Sequence, residues 1–220
     1  MKASAIEART GSFLVQLDRA MAESIERQGI TPSCRKGCDH CCYMFAETGI
    51  GEALYIAVEV ASWKDRREVM RALFWHASEQ TRPGTTKGKW FERHVPCPFL
   101  TKDHLCRIYD RRPAACRCHI VVSPPENCAL GAKDPVTARL DVGVQALPYL
   151  QKLDSGYFAD YPELDGPYVG LLTHMVLHAL RYGLGGGDRR WLEKRLEKLP
   201  HPRDWSNAHV RAGMNAMVKP

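Results

Sequence analysis

The chain has 220 residues, of which 45% are hydrophobic and 25% are charged, a composition that argues against disorder over its bulk. Its net charge of +6 is mild and gives little reason to expect nucleic-acid binding. The N-terminus does not resemble a signal peptide and no apolar run is long enough to span a membrane, so a cytoplasmic protein with no membrane partner is expected. Cytoplasmic thiols stay reduced, and the nine cysteines therefore indicate metal or redox chemistry rather than disulfides.

Hydrophobic periodicity predicts three helices in the N-terminal part of the chain. Apolar residues recur at helical spacing over residues 3–28, 51–63 and 65–79. A glycine and a proline follow the first of these stretches and end it. The polar, glycine-containing residues 81–89 predict an exposed loop.

The middle of the chain, residues 96–118, lacks a helical period and is predicted to be irregular. Strand-like pieces at 99–100 and 105–109 predict a short β-hairpin with its turn at 102–104. This pairing would bring the cysteines on either side of the hairpin close together. Pro113 discourages a helix after the hairpin.

Helical signals return in the C-terminal half. Asp134 and Pro135 form a cap and first turn for a helix that follows them, and a further helix is predicted over residues 166–182. Asp188 caps a short charged helix near the C-terminus. The glycines at 185–187 are interpreted as a flexible turn, because no strand precedes them and no phosphate-binding lysine follows.

The predicted fold class is mainly α: a small helical domain whose irregular cysteine-rich loops and short β-hairpin surround a metal centre. We expect a single domain over residues 1–220, with a metal-binding core at 30–120 and a helical C-terminal extension at 121–220. Strands and helices do not alternate along the chain, which argues against a Rossmann sheet or a (β/α)8 barrel.

Two groups of cysteines carry the functional signal. The first places four cysteines within nine residues, and the second is spread more widely along the irregular middle segment. Thiolates repel one another unless a cation lies between them, so this clustering indicates a metal centre. The predicted metal ligands are Cys34, Cys38, Cys41, Cys42, Cys97, Cys106, Cys116 and Cys118.

The number and chemistry of these thiols favour an iron–sulfur cluster. Soft thiolates select zinc, copper(I) or iron–sulfur clusters, and the predicted set exceeds the four ligands of one zinc ion. It suits one four-iron cluster with extra thiols nearby, or two metal sites. Residues 102–118 carry five basic and two acidic residues, and this positive charge suits an anionic cluster. A 4Fe-4S cluster is therefore the predicted cofactor, with zinc as the alternative.

Other motifs favour rival functions less well. The spacing of Cys34, Cys38 and Cys41 matches the radical S-adenosylmethionine motif, but those enzymes resemble barrels of alternating strands and helices. His174 and His178 have a metal-binding spacing on a predicted helix, but they lack the glutamate that follows the first histidine in zinc proteases. We interpret them as helix residues at the boundary of the core.

Three side chains near the predicted ligands have other expected roles. His40 and His119 lie inside the cysteine stretches and are candidates for orienting metal ligands through hydrogen bonds. Cys128 stands apart and is predicted to be a free or buried thiol.

The cysteine motifs resemble the YkgJ-like cysteine-cluster family, or CxxCxxCC proteins, of zinc- or iron-chelating domains. The shared elements are the first cysteine group, then Cys97-Pro-Phe-Leu, Cys106-Arg-Ile-Tyr, and Arg112-Pro-Ala-Ala-Cys116-Arg. The resemblance covers residues 30–120 and implies binding of zinc or an iron–sulfur cluster. Cys118 and His119 depart from the family pattern and are additional candidate ligands.

Three functions follow from these predictions. The first is a non-catalytic metal protein that acts in electron transfer, metal handling or maturation, with an unidentified protein or redox partner. The second is a cluster-dependent enzyme that modifies proteins, because a related cysteine cluster occurs in flagellin lysine methylases. The third is a zinc-stabilised interaction module, although no interleaving of basic and aromatic residues supports a nucleic-acid partner. No catalytic residue is assigned.

Overall fold

The computed structural model describes residues 3–132, 135–138 and 169–180 of the chain. Across these residues the fold is mainly α, as predicted, with six α-helices, one two-stranded sheet and several 3-10 turns. None of the described helices has the length and apolarity needed to cross a membrane. The predicted helix after Asp188, and most of the one after Pro135, lie outside the described residues.

The three N-terminal helices match their predicted positions closely. They are α1 (Ala3–Arg27), α2 (Ile50–Ser62) and α3 (Arg66–Gln80). Gly29 follows α1 with a φ of 61°, a left-handed conformation that glycine adopts without steric cost at the end of a helix. Local periodicity and end signals therefore suffice to place these helices.

Two helices predicted in the C-terminal part do not begin where they were predicted to begin. Residues Val169–Leu171 form strand β2, which pairs antiparallel with β1 (Glu47–Gly49), and helix α6 begins only at Leu172 and extends to His178. Residues 136–137 are extended rather than helical. There Thr137 forms an antiparallel bridge with Val121, and the Val122 N–H donates to the Val136 carbonyl at 2.9 Å. In both places a distant segment supplies the backbone hydrogen bonds, which overrides helix propensity.

Two short helices also correct the prediction of irregular structure. Helix α4 (Lys87–Glu92) begins inside the predicted loop, because the Thr86 hydroxyl accepts a hydrogen bond from the Lys89 N–H and caps it. Trp90 anchors α4 in the interior, with 1% of its surface exposed. Helix α5 (Ala114–Arg117) follows Pro113 directly, in a position where proline is compatible with a first helical turn.

The predicted hairpin is present in a reduced form. Leu100 and Cys106 form an isolated antiparallel bridge, and the Arg107 N–H donates to the Phe99 carbonyl at 2.8 Å. The Thr101 N–H closes the turn by donating to the Leu105 carbonyl at 2.9 Å.

Helix α2 lies at the centre of the hydrophobic core. It contacts α1 on one side and both α3 and α6 on another. Its residues Ile56, Ala57 and Val60 are completely buried, and they belong to one apolar cluster with residues of α1, α3 and α6. The core therefore forms a rigid platform beneath the cysteine-rich loops.

Candidate metal centre

Six of the eight predicted ligands converge on one pocket. The cysteines that line it come from three separate stretches of the chain, at residues 38–42, 97–106 and 114–117. They are Cys38, Cys41, Cys42, Cys97, Cys106 and Cys116. Apolar side chains, among them Leu100 and Leu172, line the rest of the pocket together with Tyr109 and Arg112. The fold therefore concentrates soft donor atoms in a partly apolar cavity.

Backbone contacts bring the stretches together. Cys41 and Cys42 lie in the 3-10 turn His40–Tyr43, and Gly37 just before it has a φ of 90°, which favours glycine. The Cys97 N–H donates to the Cys42 carbonyl at 2.8 Å and joins the second stretch to the first. The hairpin then carries Cys106 back towards the same pocket.

Glu52 holds the segment that carries Cys116 in place. The sequence did not indicate this role. Its carboxylate accepts a hydrogen bond from the Ala114 N–H at 2.6 Å, at the start of the helix that carries Cys116. It also accepts from the Gly49 N–H at 3.1 Å and the Thr48 hydroxyl at 3.2 Å. Only 2% of Glu52 is exposed, and this burial raises its pKa, although the hydrogen bonds and the nearby Arg117 charge oppose the rise. A glutamate three residues after a helix N-cap was the available sequence signal.

The thiols of the pocket differ in acidity. The pKa of Cys41 is below its usual value because the Cys42 thiol donates a hydrogen bond to it and the Arg112 charge lies nearby. Burial raises the pKa of Cys97 to about 12, and it also raises the pKa of Cys106 and of Cys116. Most of these groups are therefore neutral thiols without a metal, and metal binding must release their protons.

Arg112 supplies positive charge to the pocket. Its guanidinium lies 3.7 Å from the centre of the Tyr109 ring, and its Nε donates to the Tyr109 carbonyl at 3.0 Å. These contacts hold the cation at the pocket wall, where its charge lowers the pKa of Cys41 and partly offsets the rise that burial causes at Cys106 and Cys116. A fixed cation beside several thiolates suits a centre with net negative charge.

The donor set fits a thiophilic metal by its chemistry. As the side chains stand, the described residues contain no group of three or more histidine, cysteine, aspartate or glutamate side chains arranged to hold a metal ion. The fit lies instead in six thiols that share one pocket, which is the donor type that zinc and iron–sulfur clusters select.

Cys34 and Cys118, the other two predicted ligands, lie outside the pocket lining. The Cys34 thiol is 3.7 Å from the His119 carbonyl and accepts a hydrogen bond from the Val121 N–H at 3.3 Å. The Cys118 thiol packs 3.8 Å from the Met21 sulfur, and burial raises its pKa to about 11.

Cys128 lies closer to the first cysteine group than the sequence suggested. Its 3-10 turn, Pro125–Cys128, packs against the turn that carries Cys41. Burial raises the pKa of Cys128, and the charges of Cys34, Cys38 and Cys41 raise it further. Sequence separation alone concealed this proximity.

The candidate histidines are placed in two different environments. His174 is buried, and its Nε2 lies 2.8 Å from the Ala77 carbonyl, which agrees with a core helix residue. His119 contributes its backbone carbonyl to Cys34, and burial lowers the pKa of its ring. His40 lies in the turn beside Cys41.

Comparison with known proteins matches the cysteine-bearing part of the chain to a family of domains. The model of the family CxxCxxCC, described as a "putative zinc- or iron-chelating domain", matches residues 33–135. All nine cysteines fall within the matched segment. No curated protein and no solved structure matches the chain.

Proposed function

Residues 33–135 belong to the CxxCxxCC family of zinc- or iron-chelating domains, and we propose that this protein holds an iron–sulfur cluster in its cysteine pocket. The observation that carries the proposal is the convergence of six thiols, from three stretches of the chain, on one cavity. The proposed ligand pool is these six cysteines. Cys34 and Cys118 would have to reach the centre from outside the lining.

The size and charge of the ligand pool support a cluster over zinc. One zinc ion needs four ligands, whereas a four-iron cluster uses four thiolates and tolerates varied spacing along the chain. Arg112 in the pocket wall offsets the negative charge that four thiolates and a cluster would bring. Zinc is the alternative metal for the same donors.

The proposed role is electron transfer, metal handling or maturation, in a reducing compartment such as the cytoplasm, where thiols stay available. A bound 4Fe-4S cluster supplies one-electron redox chemistry. The chain itself holds the ligands, excludes water with apolar side chains such as Leu100 and Leu172, and neutralises charge with Arg112. Leu172 belongs to α6, which packs on α2 and α3, so this arrangement also supports a single domain.

The test is to identify the metal and its thiolate bonds. We would purify the protein without oxygen, measure iron, zinc and acid-labile sulfide, and record the visible spectrum. Iron and sulfide in similar amounts with broad visible absorption are expected. If the protein contains zinc alone, the cysteines bind zinc and the cluster proposal is wrong. A protein that binds neither metal would refute the cysteine centre as a whole.

A further inference from the structure

A histidine at the tip of the hairpin lies at the mouth of the cysteine pocket. His104 lines the pocket beside Cys106, although about two thirds of its side chain, 66%, is exposed to solvent. Its φ of 59° is in the left-handed region, which disfavours residues with a Cβ. Among the described residues, only His94 shares this conformation without being glycine. Such backbone strain persists where the surroundings hold the residue in place.

The side chain of Asp39 holds the His104 ring. The His104 Nδ1 lies 2.8 Å from Asp39 Oδ2, and the Tyr43 hydroxyl donates to the same oxygen at 3.3 Å. Because the Tyr43 hydroxyl donates to it, this Asp39 oxygen acts as a hydrogen-bond acceptor, as a carboxylate oxygen does.

This hydrogen bond determines which ring nitrogen is available. Because Asp39 accepts, the His104 Nδ1 carries a proton, and the neutral ring keeps its lone pair on Nε2. A carboxylate that orients a histidine through one nitrogen while the other binds a metal is the usual arrangement at protein metal sites.

The turn itself does not require the imidazole. Leu105 and Thr101 close it through the Leu105 N–H, which donates to the Thr101 hydroxyl at 3.1 Å, and through their backbone pair at 2.9 Å. His104 adds only its backbone N–H, which donates to the Thr101 carbonyl at 3.2 Å. The ring is therefore available for a function other than closing the turn.

We propose that His104 Nε2 is a further ligand of the metal centre, oriented by Asp39, so that the site combines thiolates with one imidazole at its solvent-facing mouth. This inference rests on the proposed cysteine-ligated centre. His40 and His119 are not part of this proposed ligand set. The His104 imidazole adds one neutral donor to the anionic thiolates.

The experiment uses the full chain, stripped of metal without oxygen and titrated with Co²⁺. Thiolate bonds to Co²⁺ give near-ultraviolet charge-transfer bands, and the visible ligand-field bands respond to exchange of one ligand type for another. The test variants are His104→Asn, because asparagine tolerates the left-handed backbone, and Asp39→Asn. The matched control is His94→Asn, since His94 has a φ of 49° but stacks on Tyr43 at 3.9 Å rather than lining the pocket.

We expect Asp39→Asn, which changes the group that orients the ring, to weaken Co²⁺ binding by about tenfold to a hundredfold. His104→Asn removes the ligand itself, so it should weaken binding at least as much and shift the visible bands, and His94→Asn should leave both readouts unchanged. Because asparagine could disturb the turn, His104→Gly serves as a second variant. It removes the ring, suits the positive φ, and should reproduce the loss of affinity while keeping the thermal stability of the apoprotein.

Each other outcome refutes a distinct claim. Intact thiolate bands with unchanged affinity and visible spectrum in both His104 variants would exclude the imidazole ligand but keep the cysteine centre. Equal weakening by the His94 and His104 variants would assign His104 a structural role only. Absence of thiolate bands in the unmodified protein would refute the proposed cysteine centre, and the histidine ligand with it.

Discussion

Replacing Glu52 with glutamine tests whether this buried carboxylate fastens the third cysteine stretch to the core. Its two oxygens accept from the Ala114 N–H, the Gly49 N–H and the Thr48 hydroxyl. The amide keeps one oxygen, so at least one buried backbone N–H loses its acceptor at a cost of about 1–3 kcal/mol. Removal of a buried charge offsets part of this loss, which leaves a net destabilisation of about 1–2 kcal/mol. For a chain of this length, the melting temperature should fall by about 2–8 °C.

Thermal unfolding followed by circular dichroism measures this change. Glu68→Gln is the control, because the Glu68 side chain is 72% exposed and its nearest charge contact, to Arg71, is 3.9 Å. That exchange should alter stability by less than about 0.5 kcal/mol. Equal melting temperatures for the Glu52 and Glu68 variants would refute the reasoning. Since Ala114 begins the helix of Cys116, the Glu52 variant should also bind less metal.

Three further changes have defined outcomes. Cys116→Ser should lower the bound metal and the melting temperature, because it removes a thiol from the pocket lining. His76 is buried without a hydrogen bond to its Nδ1 from any described residue, and burial, with the Arg93 charge, lowers its pKa from 6.5 to about 4. The unfolded chain therefore takes up this proton at a higher pH than the folded protein, and stability should fall by about 2 kcal/mol between about pH 7.5 and about pH 5. His76→Gln should lose that part of the pH dependence in urea unfolding. Arg107→Lys should cost about 1 kcal/mol, because it loses two hydrogen bonds to Asp65 at 2.6 and 2.9 Å and a 3.7 Å stacking contact with Trp63.

Controls separate these effects from general damage. Cys128→Ser removes a thiol outside the pocket lining, and we expect it to lower metal content much less than Cys116→Ser. Full metal content in the Cys116 variant would refute its assignment. An unchanged pH dependence in the His76 variant, or an Arg107→Lys melting curve identical to that of the unmodified protein, would contradict the corresponding argument.

The sequence by itself determined the features that depend on neighbours along the chain. Helices α1, α2 and α3 follow from apolar residues at helical spacing, and each begins and ends within one or two residues of its prediction. The hairpin turn and the cysteine motifs are equally local, because short spacings and turn residues specify them. The same motifs identified the family and predicted thiols as its metal ligands.

Only the tertiary structure decided which distant segments meet. Pairing with β1 turned residues 169–171 into a strand, and pairing with Val121 kept residue 137 extended. The pocket selects six thiols from three stretches and adds Leu172, which lies beyond the family segment. Glu52, near the start of α2, accepts a hydrogen bond from the N–H of Ala114, which lies 62 positions later in the chain. Backbone pairing and burial between residues far apart leave no periodic signal in the sequence, because their energy arises only once the chain has folded.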